Sequence, residues 1–321
     1  MQVTVLMPVY NASIYLHDSI NSLLSQTCND WKLICIDDGS TDNSKEIIES
    51  YIKLDSRITL ICQENAGPAV ARANAITTVK TEYISILDAD DAYSPNYIEL
   101  MLKRAEETNA DSIVPDVEFG FGGTKKIPNK FEQDKLKPNT IIENGIQAFS
   151  MTIPWRLHGW QMIKTELAKK YYTVENASYS KFNSDEYITR LLYLKSKKVA
   201  LCEAKYLYRI ASNSLTRKVS IKKLDYLKTL DRLLCLCEEE KVNTKIIVKL
   251  YNDYYVTINN LLKLLPEFND DDKIKAIEII KYYYVNSYRK HLTLKVILES
   301  KLKTKIKFLI SLLGLSSFKW K

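Results

Sequence analysis

The residues with the most chemistry in this 321-residue chain are Asp88, Asp90 and Asp91, three carboxylates within four positions. They close an apolar run, Tyr83 to Leu87, and Pro95 then opens the next helical pattern. A buried strand that stops at such a cluster delivers negative charge to one end of a sheet. Unit charges 4 Å apart repel by about 4 kcal/mol near a protein surface, so the cluster is suited to a cation. A hard divalent ion bridging to a phosphate is the simplest such partner. The plainer alternative, for any one Asp, is a solvated acidic turn that caps the following helix.

Other polar clusters stand where apolar runs stop: Tyr10-Asn11 after Val3–Met7, Asp37-Asp38 after Trp31–Ile36, and Glu64-Asn65 after Ile58–Cys62. Helical patterns separate them, over about 14–25, 41–53 and 69–77. Strand and helix alternate four times within about ninety residues, the pattern of a parallel sheet covered on both faces. Ligands bind such sheets at the carboxyl ends of the strands, so four loops converge on one rim. No GxGxxG follows the first strand and no Walker sequence is present, which disfavours nicotinamide and P-loop chemistry.

Further along, residues 112–115 predict a strand, Gly120–Gly123 a turn, 140–151 a short helix, and Trp155–Trp160 an aromatic segment before a helix at 164–171. A helix follows from Tyr187 to about Lys195, then strands at 199–202 and 205–208. After Leu215 long helical patterns run over 221–241, 243–265 and 272–291. The expected organisation is an α/β domain over 1–215, a helical bundle over 216–300 and a basic amphipathic tail over 301–321.

The net charge of +7 is uneven: 22 Lys/Arg against 12 Asp/Glu from Arg217 to Lys321, but 24 against 27 before it. A basic last third predicts an anionic partner, a membrane surface before nucleic acid. Lysines interleaved with Ile306, Phe308, Leu309, Leu312, Phe318 and Trp320 suit an interfacial helix as well as a docking helix. The six cysteines have no metal-site spacing and fit a reducing cytosol. No signal peptide precedes the first strand, and no apolar run approaches the ~18 residues of a spanning helix. The expectation is a cytoplasmic protein, peripheral on the inner face of the plasma membrane. Self-association would use the helical region, and no nucleic-acid module is legible.

Met7-Pro-Val-Tyr-Asn11, Ser25-Gln-Thr27, Ile36-Asp-Asp-Gly-Ser-Thr-Asp42, Asn65-Ala-Gly67 with Ala71-Arg72, and Leu87-Asp-Ala-Asp-Asp91 stand in the order and spacing of family 2 glycosyltransferases. The chain resembles that family over about 1–215, most strongly to Tyr97. The resemblance implies a GT-A fold: a Rossmann-like domain with a mixed, mostly parallel sheet, here followed by a C-terminal α-helical region. It implies inverting transfer from a nucleotide-sugar, most often a UDP-sugar, with Mn2+ or Mg2+. A glycan or lipid-linked acceptor in cell-surface polysaccharide synthesis fits the family and the basic tail.

By position, the resemblance puts Pro8 and Tyr10 at the uracil, Asp38 on the base edge and Arg72 near the donor. Asp88-Ala89-Asp90 matches the Asp-x-Asp motif, Asp88 reaching the ribose or a metal-bound water and Asp90 the metal, with Asp88 its second ligand. Asp91 would brace the loop. Asp185 falls on the family's catalytic base, with Ser184 replacing its preceding Glu and Glu186 as competitor. Ala211 stands where many members carry a His, leaving Arg209 or Arg217 to hold the phosphates. Trp155, His158 and Trp160 are acceptor-side candidates. A degenerate transferase domain acting as a scaffold is the rival from another class, and a nucleotidyltransferase the second enzymatic one.

Overall fold

Aliphatic residues fill β1 (Val3–Val9), buried along its whole length as a strand covered on both faces must be. It pairs in parallel with β2 (Trp31–Asp37) and β4 (Tyr83–Ile86), and β2 pairs in parallel with β3 (Ile58–Cys62). The computed structural model describes residues 2–121, 127–210, 219–288 and 294–300. The chain divides into two compact units, Met1–Ser214 and Leu215–Lys321.

Helices connect these strands. On α1 (Leu16–Leu24), Leu16, Ile20 and Leu23 bury one face, and Ile48 and Tyr51 do so on α2 (Ser44–Leu54). Each such side chain contributes about 1.5–3 kcal/mol when fully removed from water. Gly67 caps α3 (Pro68–Ile76), whose alanines let it lie close against its neighbours. After β5 (Ala92–Tyr93), α4 (Tyr97–Thr108) ends at Asn109 in the left-handed conformation that asparagine tolerates at helix ends.

The remaining strands are β6 (Ser112–Phe119), β7 (Ile141–Ile142), β8 (Met162–Lys164) and β9 (Val199–Tyr208). Among the described residues they complete a nine-stranded sheet of order β3-β2-β1-β4-β8-β6-β9-β5, with β7 also on β9. Its long pairings are parallel, and the antiparallel ones span two residue pairs each. Around this half lie α5 (Lys130–Gln133), α6 (Gly145–Met151), α7 (Thr165–Tyr171), α8 (Val174–Ala177) and α9 (Ser184–Lys195).

The second unit is helical: α10 (Asp225–Glu239), α11 (Thr244–Leu264), α12 (Asp270–Tyr283) and α13 (Leu294–Glu299). Asn243 and Asn269 cap α11 and α12 through their side chains. Among the described residues no helix is long and apolar enough to cross a membrane.

Several segments differ from the sequence reading: the helix expected over 140–151 begins only at Gly145, with Ile141–Ile142 paired as β7 on β9 before it. The strands expected at 199–202 and 205–208 are one strand, because β6 shifts register between Val114 and Asp116 and β9 runs on opposite that irregularity. The helix expected from Tyr187 begins at Ser184, which puts Asp185 in its first turn. Ala211, Arg217 and the tail 301–321 lie outside the described residues.

Candidate active site

Strand β4 gives way at Leu87 to the loop Asp88–Asp91, held from both sides. The Ser19 hydroxyl on α1 lies 2.7 and 2.6 Å from the carbonyl oxygens of Ala89 and Asp91. From β9 the Tyr206 hydroxyl donates to Asp91 Oδ2 at 2.7 Å, and just beyond the strand the Arg209 backbone N–H donates to Oδ1 at 2.8 Å. Arg209 Nε donates to the Asp90 carbonyl at 2.8 Å, and Nη2 reaches Asp18 at 2.7 Å. Arg209 is thus engaged in bracing this loop.

The three carboxylates have different environments. Asp91 is 1% exposed, and burial, then Asp88 and Asp90, push its carboxyl well above the usual range. Asp88 accepts from Arg72 Nη2 on one oxygen and from Trp160 Nε1 on the other, the latter at 2.9 Å. Asp90 is half-buried, and among the described residues no other side chain donates a hydrogen bond to its carboxylate. Burial, then the Asp88 charge, raise its pKa, while Arg209 opposes the rise. Asp90 therefore carries uncommitted hard oxygen acceptors, which fits a divalent ion that takes one or two carboxylates and completes its shell with phosphate and water. Among the described residues no three His, Cys, Asp or Glu side chains form a ready-made cage, so ligand and water would supply the rest.

Arg72, on α3, is 6% exposed. Burial works against its charge, but the neighbouring Tyr172, Asp88 and Asp185 outweigh it and raise the pKa, so the guanidinium stays protonated. Its Nε is buried without a partner, a donor available to a bound group. Asp185 is open to solvent on α9 and accepts from the Glu186 N–H at 3.0 Å. The crowding of protein around it raises its pKa, which Arg72 partly offsets and Asp88 reinforces. Glu186 is instead paired with Arg190, 3.0 Å away, whose guanidinium lies over the Trp155 ring at 4.5 Å.

At the carboxyl end of β1, on the same rim of the sheet, Tyr10 is 53% exposed. Pro8 is buried within β1, opposite Ile36. Asn11, at φ 50°, joins the first two loops by accepting from the Thr41 N–H at 2.8 Å. Asp38 is 2% exposed, and both its oxygens are engaged: Oδ1 by Gln63 Nε2 at 2.7 Å and Ala66 N–H at 2.9 Å, Oδ2 by Gly67 N–H at 2.8 Å. Its visible work is to shape the loop after β3.

The acceptor-side candidates part company. His158 is 5% exposed; its Nδ1 accepts from the Trp160 N–H at 3.3 Å, so Nε2 is the donor to the Pro115 carbonyl at 2.9 Å. Burial drops its pKa to about 4, leaving a neutral histidine in the core. Trp160 stacks on Tyr206, centroids 4.8 Å apart and planes 22° apart, and serves Asp88. Sequence reasoning missed Tyr206 and Tyr172: nothing local marks an aromatic on a distant strand or helix as a partner of a charged loop.

The family model for glycosyl transferase family 2 matches residues 4–172. Glycosyltransferase GlyA of Streptococcus pneumoniae serotype 4 is 30% identical over 224 residues, 67% of this chain but 32% of GlyA. Minor teichoic acid biosynthesis protein GgaA of Bacillus subtilis strain 168 is 27% identical over 310 residues, 88% of this chain and 67% of GgaA. The chain thus spans about a third of one relative and two thirds of the other. Among solved structures, S. aureus TarS 1–349 in complex with UDP-GlcNAc superposes with a TM-score of 0.74 over 98% of this chain and 88% of that one. At 14% identity that likeness speaks for the fold.

Proposed function

The chain belongs to glycosyl transferase family 2 and has its GT-A fold, and from that premise we propose an inverting transferase that moves a sugar from a UDP-sugar to a glycan or lipid-linked acceptor. One observation carries the reading: buried Arg72 is ion-paired with Asp88 just after β4 and is electrostatically coupled to Asp185 at the start of α9. A single buried cation thereby pairs with a donor-side carboxylate and acts electrostatically on a second carboxylate that is open to solvent.

In this reading Tyr10 lies against the base and the loop shaped by Asp38 receives its edge, with Pro8 supporting from β1. Arg72, through its unpartnered Nε, and the loop Asp88-Ala89-Asp90 hold the ribose and diphosphate. A bound Mn2+ or Mg2+, on Asp90 with Asp88 as second ligand, would supply Lewis-acid stabilisation of the departing diphosphate. Asp185 takes the proton of the acceptor hydroxyl as that oxygen bonds to the anomeric carbon. The bond from that carbon to the β-phosphate oxygen breaks, and UDP leaves on the opposite face. Glu186, neutralised by Arg190, orients the first turn of α9.

Crystals of the fold neighbour TarS with UDP-GlcNAc support a UDP-N-acetylhexosamine as the first donor to try. The teichoic acid relative supports a cell-surface polymer as acceptor. The lysine-rich tail supports attachment to an anionic membrane face. Release of the corresponding nucleoside diphosphate from a panel of UDP-, GDP- and dTDP-sugars, with and without Mn2+, tests the reading. Metal-dependent release from a UDP-sugar is expected, whereas release from none would favour a scaffold.

A further inference from the structure

Two loops 116 residues apart in sequence meet beside the proposed site. Lys181 Nζ donates to the Asn65 carbonyl at 2.7 Å. Gly67 adopts φ +94°, and a Cβ there would come within 3.1 Å of Lys181 Cα and 3.2 Å of its carbonyl oxygen. Backbone meets backbone, which only glycine in this conformation allows.

Each side is rigid in its own right. Asp38 binds the N–H groups of Ala66 and Gly67 at 2.9 and 2.8 Å. Ser180 Oγ accepts from the N–H groups of Phe182 and Asn183 at 3.0 and 3.1 Å, and Ser184 Oγ donates back to the Ser180 carbonyl at 2.7 Å. Each side also leads directly to a reacting group. Gly67 caps α3, which carries Arg72 five residues on, and Lys181 stands four residues before Asp185.

We propose that the contact of Lys181 with Asn65 and Gly67 is a clasp that sets the reach of Asp185 to the donor, making Lys181 and Gly67 positioning residues for transfer. The inference rests on Asp185 as the base. An ångström of misplacement at a reacting centre costs up to about a hundredfold in rate, so even a surface lysine can matter here. A contact that served only the fold would lower melting temperature without separating kcat from donor affinity.

The test uses the full chain with Lys181→Met, Lys181→Arg, Gly67→Ala, the Lys181→Met/Gly67→Ala double variant and Asp185→Asn. UDP release from the UDP-sugar turned over by wild type is measured beside calorimetric binding of UDP with Mn2+. Lys181→Met is expected to lose about tenfold in kcat with UDP affinity within about twofold of wild type, and Lys181→Arg to recover most of that loss. The double variant should be no slower than Gly67→Ala alone, because both changes open one contact. Wild-type kcat in Lys181→Met, multiplying effects in the double variant, or failure of Lys181→Met to fold would each overturn the clasp. Should Asp185→Asn turn over normally, the base assignment fails and the clasp with it; an inactive Asp185→Asn beside a fully active Lys181→Met removes the clasp alone.

Discussion

Trp160 Nε1 donates to Asp88 Oδ2 at 2.9 Å, joining the segment before β8 to the carboxylate that ends β4. The indole is itself fixed by its stack on Tyr206, whose hydroxyl holds Asp91. One aromatic pair thus orients two of the three loop carboxylates. Trp160→Phe keeps the stack and removes the donor. A hydrogen bond to a charged group is worth about 1.5–3 kcal/mol, so kcat/KM for the donor should fall by roughly ten- to a hundredfold with little change in melting temperature. Steady-state kinetics on Trp160→Phe beside Trp160→Ala checks this.

Asp90 should dominate the response to metal. Its pKa is raised by burial and by Asp88, so protons compete with the ion. The thermal shift given by Mn2+ with UDP should therefore grow as pH rises above the usual carboxylate range, and disappear in Asp90→Asn. Without metal the sign reverses. A carboxyl whose folded pKa lies above its unfolded value binds more protons when folded, so its contribution to stability falls as pH rises above about 4. Metal-free wild type should lose melting temperature relative to Asp90→Asn as pH rises above about 4, as differential scanning fluorimetry would show.

The acid limb of transfer belongs to Asp185. A base must be ionised, and crowding raises this carboxyl above its ordinary value while Arg72 restrains the rise. The limb in kcat should lie above the usual carboxylate range and move to higher pH in Arg72→Leu, read at saturating donor. His158, buried and neutral, should contribute nothing to it.

Gly145 supports the far end of the same helix. A Cβ there would lie 2.3 Å from the Leu194 carbonyl oxygen and 2.5 Å from that of Ser196, at the C-terminal end of α9. Neither is a flexible side-chain tip, so Gly145→Ala must push α6 away. Overpacking of this kind costs about 1–3 kcal/mol, measurable by urea denaturation.

The four leading strands and their loops were legible because a parallel sheet buries each strand on both faces and leaves its polar residues at the ends. Asp88, Asp90 and Asp38 stood out for that reason, whereas Arg72, within α3, was marked only by the family resemblance. The bonds that rank them did not. Tyr206 lies 115 residues from Asp91 and Trp160 lies 72 from Asp88, and no periodicity encodes such pairings. The unity of β9 was hidden by exposed Glu203 opposite the irregular register of β6, and the early start of α9 by the turn at Ser180.

The most direct test of the account compares Asp185→Asn with Glu186→Gln in UDP-sugar turnover, with UDP and Mn2+ binding measured on both. Asp185→Asn should bind UDP as wild type does and lose turnover by about a hundredfold or more, as removal of a general base entails. Glu186→Gln should keep most of its activity. An active Asp185→Asn beside an inactive Glu186→Gln would contradict the assignment and move the base by one residue.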